Sequence, residues 1–187
     1  TCTVHIRGGH TQIKSIEKNG EVIYKEEKAA DDDLKNASGE NAEVEIPVIH
    51  KYTLAQIIDY VANVPKEDII FIRDAFAMNM ELLEEGISSD RTVITHQLLK
   101  ENGNEKVSKD ILKTAQLLCN GAIEARVLGL SRPAMSITGS GAHGIIATMP
   151  LYAYYKVTEM KDDETLLRAT ALSYLITMYI KEYSGKL

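Results

Sequence analysis

The hydrophobic pattern changes its period near His50, and this change constrains the fold more than any other feature of the sequence. Before it, apolar and polar residues alternate, as in Thr3 to Arg7 and Gln12 to Glu17, which indicates strands. After it, apolar residues recur every three or four positions, which indicates helices. Strands followed by helices favour a segregated α+β fold. We predict antiparallel strands with a hairpin over 1–50, continuing a domain begun upstream, and a predominantly helical region over 51–187, incomplete at its C-terminus.

Glycine and asparagine mark the turns of the strand region. Asn19 and Gly20 tolerate positive φ, so they predict a two-residue hairpin turn, and Gly8 with Gly9 predicts an earlier one. Residues 28–41 hold three consecutive aspartates and few apolar residues, which favours a solvated loop over a metal site. A further strand, placed at a sheet edge by Pro47, is predicted from Val44, Ile46 and Val48.

Helix starts follow from capping residues. Thr53 can cap a helix whose apolar face is Leu54, Ile57, Ile58 and Val61. The residues after Pro65 begin a second helix, which Gly86 is expected to stop, with a face formed by Ile69, Ile72, Phe76, Met80 and Leu83. A shorter helix is predicted over 91–100.

Two further helices are predicted after the turn at Asn102 to Asn104. Ser108 can cap a long helix with a stripe of Leu112, Ala115, Cys119, Ala122 and Ile123, which Arg126 continues. The stretch from Leu166 to Ile180 is apolar almost all round, which predicts a helix enclosed by other helices.

Composition excludes several classes of function. With 27 acidic and 21 basic side chains, a net charge of −6 argues against sequence-independent binding of nucleic acid. Two cysteines, Cys2 and Cys119, can form neither a disulfide framework nor a four-thiolate metal site, which favours a reducing, cytoplasmic location. No apolar stretch is long enough to predict a membrane span. The chain starts at Thr1 in a strand-like pattern, which indicates a piece of a longer protein.

The segment from Ser136 to Gly144 carries the strongest chemical signal. It places three glycines and three hydroxyls before a helix-like run, so backbone N–H groups can converge on one anion at the positive end of that helix. A carboxylate or a phosphate would fit, and a plain structural turn remains the alternative. No Lys-Ser or Lys-Thr pair follows, which argues against a nucleotide P-loop.

The same segment resembles a known family. Residues 132–150, RPAMSITGSGAHGIIATMP, resemble the PAMS…GSGxxGIxATxP signature of the cysteine desulfidase family, which is related to the α chain of iron–sulfur serine dehydratases. Gly8 to Ile13 followed by Asn19 and Gly20 is similar to the family's GGHTxI segment and hairpin. The later run from Leu172 to Ile180 also looks like a family helix, so the resemblance covers essentially the whole chain.

The resemblance implies β-elimination from L-cysteine or L-serine, in which a 4Fe-4S cluster acts as Lewis acid on the leaving group and pyruvate, ammonia and sulfide or water are produced. Carried over, the loop would bind the substrate carboxylate, and His143 would donate a hydrogen bond or move a proton. Besides His143, the candidate site residues are Ser136, Gly139, Ser140, Gly141, Gly144, His10 and Arg126.

The chain also departs from the family pattern. The cluster-binding cysteines of the family lie upstream of residue 1 and downstream of Leu187, so this piece is expected to hold no cluster and to be inactive alone. Ala142 stands where the family usually has Asn, and Ile137 with Thr138 where it has Asn-Ser. A loop that lacks this amide leaves the identity of the substrate open.

Two other functions compete with the lyase. A pyridoxal phosphate dehydratase is disfavoured because no Ser-x-Lys-x-Arg-Gly segment precedes the loop to supply a Schiff-base lysine. A non-catalytic module that binds a small amino acid or mediates assembly is favoured by Ala142. The expected partner is a small amino acid, with no nucleic acid and no membrane, and a homodimer is compatible with the sequence.

Several chemically capable side chains have structural interpretations. Cys119 on an apolar stripe predicts a buried thiol, and Cys2 is expected to pack on its strand. His10 is kept as a ligand candidate, whereas His5, His50 and His96 are taken as structural. Arg126, extending a buried stripe, needs an acidic or anionic partner, and Glu124 lies on a different face. The tyrosines are expected to pack between helices with their hydroxyls in water: Tyr152, Tyr154, Tyr155, Tyr174 and Tyr179.

Overall fold

The computed structural model describes residues 1–7, 13–25 and 46–184, and it divides into two units, Thr1–Glu45 and Ile46–Leu187. The first unit contains an antiparallel sheet and the second contains helices. The predicted α+β class is therefore confirmed.

The first unit forms a three-stranded antiparallel sheet in the order β1 (Cys2–Ile6), β2 (Ile13–Lys18) and β3 (Glu21–Lys25). Asn19 and Gly20 connect β2 to β3 with φ of 53° and 87°, the type I′ geometry that the sequence predicts. Every described side chain of β1 and β3 is exposed. The predicted turn at Gly8 and Gly9 and the predicted loop over 28–41 lie outside the described residues.

The strand predicted around Pro47 is wrong where the structure describes it. Ile46 and Pro47 form no regular structure, and Val48–Lys51 is a short 3-10 helix. Pro47 has no N–H to donate to a neighbouring strand, and its carbonyl accepts the backbone N–H of His50 at 2.9 Å. The His50 ring lies 2.9 Å from the carbonyl of Tyr179. A contact that is distant in sequence therefore overrides the local alternation.

The second unit is helical. Its elements are α1 (Leu54–Asn63), α2 (Lys66–Ile69), α3 (Arg73–Ser88), α4 (Ile94–Glu101), α5 (Ile111–Val127), α6 (Gly141–Val157) and α7 (Asp163–Ser184), with a 3-10 helix over Ile70–Ile72. Thr53 caps α1, as predicted. Its side chain and that of Gln56 form a capping box. Gly86 does not stop α3, which continues to Ser88.

The start of α5 differs from the prediction. Asp110, not Ser108, is the N-cap, and its Oδ1 accepts the backbone N–H of Lys113 at 3.0 Å. The hydroxyl of Ser108 instead donates to Oδ1 of Asn102 at 2.6 Å. Both residue types cap helices well, so the sequence alone does not choose between them.

Two apolar clusters hold the helical unit together. The first joins α3, α5 and α6, and the second joins α1, α2, α3 and α7. Leu117 and Leu118 are fully buried at the centre of the first cluster, where each contributes about 1.5–3 kcal/mol by burial. Leu112, predicted to lie on the buried stripe of α5, is 67% exposed. The buried face comprises Thr114, Leu117, Leu118, Cys119, Gly121, Ala122 and Ala125.

The enclosure predicted for the helix from Leu166 to Ile180 is only partly observed. Buried positions in the first half of α7 are Leu166, Leu167, Thr170 and Ala171. Ile180 and Tyr183 are exposed among the described residues. Within that part of the chain, no helix has both the length and the apolar character needed to cross a lipid bilayer.

Candidate functional site

The predicted anion loop contains a tight turn that uses two of its own amides. Ile137 and Ser140 exchange backbone hydrogen bonds of 3.1 and 3.0 Å. The residues between them, Thr138 and Gly139, have φ of 51° and 81°. Positive φ at both positions is the type I′ geometry, and it is uncommon for threonine. The N–H groups of Ile137 and Ser140 are therefore not among those that can bind an anion.

Two more amides form hydrogen bonds within the first turn of α6. Ser140 is the N-cap, and its Oγ accepts the backbone N–H of His143 at 3.4 Å. The carbonyl of Ser140 accepts the N–H of Gly144 at 3.1 Å. Among the described residues, the N–H groups of Gly141 and Ala142 have no acceptor. Two free amides therefore remain at the positive end of a 17-residue helix.

Arg126 lies against Gly141, which supplies one of these two amides. The prediction that it extends a buried stripe is wrong, because its side chain is exposed. Its Nε and Cδ cover Gly141 so closely that a Cβ at Gly141 would stand 2.1 Å from Nε. Within the described part of the chain, the guanidinium has no ion pair and no hydrogen bond. An unpaired guanidinium next to two free N–H groups can bind a carboxylate.

Glu124 does not neutralise Arg126, because it stabilises the start of α4. Its carboxylate accepts the backbone N–H groups of Val93, Ile94 and Thr95 at 2.9, 3.0 and 2.7 Å and the Thr95 hydroxyl at 2.7 Å. Burial raises the pKa of Glu124, but the hydrogen bonds from Thr95, Ile94 and Val93 outweigh it and lower the pKa to about 2.

Gly144 allows the backbone before the turn to lie directly on α6. A Cβ at Gly144 would stand 1.9 Å from the carbonyl oxygen of Met135 and 3.0 Å from Cα of Ser136. Ser136 therefore stands beside the first turn of the helix, with its side chain exposed. His143, on the same turn, is half-buried, and its Nδ1 is buried without a partner among the described residues.

Sequence reasoning missed one residue of this site, Asn79 of α3. It is fully buried, and its Oδ1 accepts the backbone N–H of Met135 at 3.1 Å. The signal was present, because an amide interrupts the apolar face of α3 between Phe76 and Leu83. The candidate His10 lies outside the described residues, so its position relative to this site stays a prediction.

The site is open to solvent and is not a closed pocket. Two cavities of the described chain lie elsewhere. An apolar cavity of about 230 Å³ is lined by Leu54, Ile57, Ile176 and Tyr179. A polar depression of about 210 Å³ is lined by Glu81, Glu84, Glu85, Ser88 and Arg132. Its three carboxylates make the depression unsuitable for an anion.

The described residues offer no ligand set for a metal cluster. No three His, Cys, Asp or Glu side chains in this part of the chain converge on one point. Cys2 is exposed on β1, contrary to the expected packing, and Cys119 is buried in α5 as predicted. Burial raises the pKa of the Cys119 thiol, which disfavours the thiolate that a metal requires.

Several other aromatic and histidine side chains of the described residues have structural partners. Tyr152 stacks on Phe76 with ring centroids 5.0 Å apart, and the Tyr174 hydroxyl lies 2.8 Å from Oγ1 of Thr148. His5 is 3.5 Å from Glu17, and His96 is 3.1 Å from the carbonyl of Ser89. Tyrosine packing between helices is therefore confirmed for Tyr152. The Tyr174 hydroxyl, which was expected to face water, instead forms a hydrogen bond with Thr148.

Fold and site together define an α+β chain with a cation and two free amides at the start of a long helix. The sequence model of the serine dehydratase alpha chain family matches residues 15–187, and the chain belongs to that family. No solved structure matches it.

The curated relatives carry the printed name UPF0597 protein, which states no activity. One from Clostridium botulinum (strain Langeland) is 38% identical over 182 residues, covering 97% of this chain and 41% of the relative. One from Clostridium tetani is 36% identical over 184 residues, covering 98% and 40%. One from Clostridioides difficile is 34% identical over 185 residues, covering 98% and 42%. The chain thus spans about two fifths of the length of these relatives.

Proposed function

We propose that the chain is part of an iron–sulfur-dependent amino-acid lyase of the cytoplasm that catalyses β-elimination from L-cysteine or L-serine. Membership of the serine dehydratase alpha chain family supports a lyase-like activity. In this proposal, the chain supplies the binding site for the substrate carboxylate. The observation that carries it is the Arg126 guanidinium against Gly141, where neither the guanidinium nor the N–H groups of Gly141 and Ala142 have a partner among the described residues.

The geometry suits a carboxylate better than a larger anion. Arginine can donate two parallel hydrogen bonds to the two oxygens of a carboxylate, and helix N–H groups bind the same oxygens. One guanidinium and two amides supply about as many donors as a single carboxylate needs. Fixing the carboxylate orients the rest of a small amino acid relative to His143, which lies on the same turn of α6.

In β-elimination the Cα–H bond gives up its proton, its electron pair forms the Cα–Cβ double bond, and the Cβ–S or Cβ–O bond breaks. Sulfide or water leaves, and water then converts the aminoacrylate to pyruvate and ammonia. His143 is the candidate in this chain for holding or moving a proton, because the two ring nitrogens of an imidazole can donate and accept hydrogen bonds. Its half-buried ring has an unpartnered Nδ1 within the described residues.

The 4Fe-4S cluster belongs to the whole protein in this proposal and not to the described residues. They do not fit a cluster, since their only cysteines are Cys2 and Cys119, and Cys119 is buried in an apolar core. The cluster ligands would come from segments outside this chain.

The proposal is tested on the protein expressed from its complete reading frame and purified without oxygen. We expect brown absorption and release of pyruvate and sulfide from L-cysteine, or of pyruvate from L-serine. Arg126→Gln should raise KM about 10- to 100-fold, the effect of losing a hydrogen bond to a charged group. Arg73→Gln, which breaks an exposed ion pair with Asp163, is the matched control and should leave KM unchanged.

A non-catalytic amino-acid-binding or assembly module is the second candidate, and the open site favours it. Ser136, Thr138 and Gly139 are exposed, and neither the apolar cavity nor the polar depression includes the turn. A colourless protein that releases no pyruvate but binds L-alanine with an affinity that depends on Arg126 would support this candidate. Brown, active protein with an unchanged KM in Arg126→Gln would contradict the assigned site.

A further inference from the structure

Asn79 occupies a position where an apolar residue would be expected. It lies on the buried face of α3, with Ala75 and Phe76 one turn before it and Leu82 and Leu83 one turn after it. These four neighbours are apolar and at most 6% exposed. Burying an amide in such surroundings costs free energy unless its donors and acceptor are paired.

Only half of the Asn79 amide is paired. Oδ1 accepts the N–H of Met135 at 3.1 Å, whereas Nδ2 has no partner among the described residues. Because the Met135 N–H is a donor, the oxygen must face it, and the orientation of the amide is fixed. A side chain chosen for stability alone would not leave a buried donor unpaired. The presence of Asn79 is better explained by the hydrogen bond that its Oδ1 accepts from the Met135 N–H.

Met135 is held on both sides of its backbone. Its N–H is held by Asn79 of α3, and its carbonyl lies against Gly144 of α6, which leaves no room for a Cβ. The apolar side chains around Asn79 could not accept this hydrogen bond. The next residue, Ser136, is the first of the candidate loop and stands against the turn of α6 that follows the free amides.

We propose that Asn79 is a positioning residue for the carboxylate site. By holding Met135, it fixes the place of Ser136 relative to Arg126 and the amides of Gly141 and Ala142. This inference rests on the proposed function, because it assigns Asn79 to the site that binds the amino acid. It acts through the backbone and makes no contact with the ligand.

The test compares two buried asparagines in the protein from its complete reading frame. Asn102 is 2% exposed, and both of its amide atoms are paired, Nδ2 to the carbonyl of Glu105 at 2.7 Å and Oδ1 to the Ser108 hydroxyl at 2.6 Å. L-alanine serves as the probe because it carries the carboxylate and amine but no leaving group. Its Kd is measured by calorimetry, together with the Tm of each variant.

Asn79→Ala and Asn102→Ala should both lower Tm, but only Asn79→Ala should weaken the binding of L-alanine, by about tenfold. Asn79→Asp keeps an acceptor for Met135 and should restore Kd to within about threefold of the unsubstituted protein. A merely structural role would lower Tm without this rescue of affinity. Equal Kd values in Asn79→Ala and Asn102→Ala would overturn the inference and leave the proposed function standing.

Failure of the unsubstituted protein to bind L-alanine would overturn the proposed function and this inference together. Should Asn79→Ala not fold, hydrogen exchange of the unsubstituted protein decides the matter. Binding of L-alanine should slow exchange of the Met135 N–H together with the N–H groups of Gly141 and Ala142. Slower exchange at the latter two alone would contradict a coupling through Met135.

Discussion

The side chain of Arg126 occupies the space beside Cα of Gly141, where a Cβ would stand 2.1 Å from Nε of the guanidinium. A residue near the end of α5 thus reaches the first residue of α6. The contact depends on the missing side chain at position 141, and it brings to a helix N-terminus a cation that has no partner among the described residues. Both features are needed for the carboxylate site that we propose.

Gly141→Ala should displace Arg126 without unfolding the protein, because an exposed, flexible side chain can move away from the new Cβ. We expect the Kd of L-alanine to rise about tenfold, the effect of one lost charge-assisted hydrogen bond. Combining Gly141→Ala with Arg126→Gln should add little, since both remove the same contact. Fully additive effects in this double-mutant cycle would show that the two residues act independently.

Ser140 has a structural role as N-cap and a proposed role beside the ligand, and Ser140→Asp separates the two. Aspartate caps helices as well as serine does, so Tm should change little. Its carboxylate would repel the ligand carboxylate, so the Kd of L-alanine should rise at least tenfold. Thr53→Asp at the cap of α1 is the control, and it should change neither Tm nor the Kd of L-alanine. Unchanged affinity in Ser140→Asp would place the ligand elsewhere.

Gly144→Ala should be the most damaging of the glycine substitutions in the helical unit. The new Cβ would meet the backbone carbonyl of Met135, which cannot rotate away, whereas at Gly121 it would meet the mobile Cδ1 of Leu83 at 2.5 Å. We expect the free energy of unfolding to fall by at least about 1–3 kcal/mol, the usual cost of overpacking. Gly86→Ala, with its nearest contact at 3.1 Å, is the mild control. Urea denaturation curves measure the free energy of unfolding of Gly144→Ala, Gly121→Ala and Gly86→Ala. Equal losses in the three variants would contradict the expected ranking.

Glu124 should govern part of the stability in acid. Its pKa is lowered from 4.5 to about 2 in the folded protein, so its contribution is complete above about pH 5 and is lost as the pH falls through the folded pKa. Glu124→Gln should lower the free energy of unfolding near pH 7 by about 1–3 kcal/mol. The difference from the unsubstituted protein should shrink between pH 5 and pH 2. Thermal unfolding across this range measures the difference, with the exposed Glu101→Gln as control.

Local signals predicted the elements that depend on local chemistry. Asn19 and Gly20 formed the expected hairpin turn, and Thr53 formed the expected cap, because each conformation is specified within a few residues. The buried face of α5 could not be read in this way. It uses Gly121 and Ala125, small residues that let α3 approach closely but carry little hydrophobic signal, while the apolar Leu112 is exposed.

The conformation of the loop at the site could also be predicted only in part from local sequence. Its glycines and hydroxyls predicted a start of α6 able to bind an anion, and the structure leaves Gly141 and Ala142 free there. Which amides would be consumed could not be predicted, because it depends on Thr138 adopting a φ of 51°, a conformation that threonine disfavours. The role of Asn79 depends on a contact 56 residues away along the chain.

The exposed side chains of β1 and β3 have a consequence for the order in which this protein loses its structure on heating. In the described part of the strand unit no side chain is buried, so that sheet is held mainly by its ladder of backbone hydrogen bonds. Apolar side chains such as Val4, Val22 and Tyr24 are exposed among the described residues, and a sheet whose apolar side chains are uncovered is marginal in water. We expect its amide protons to exchange with deuterium well before those of α5, so that this sheet melts while α5 is still folded.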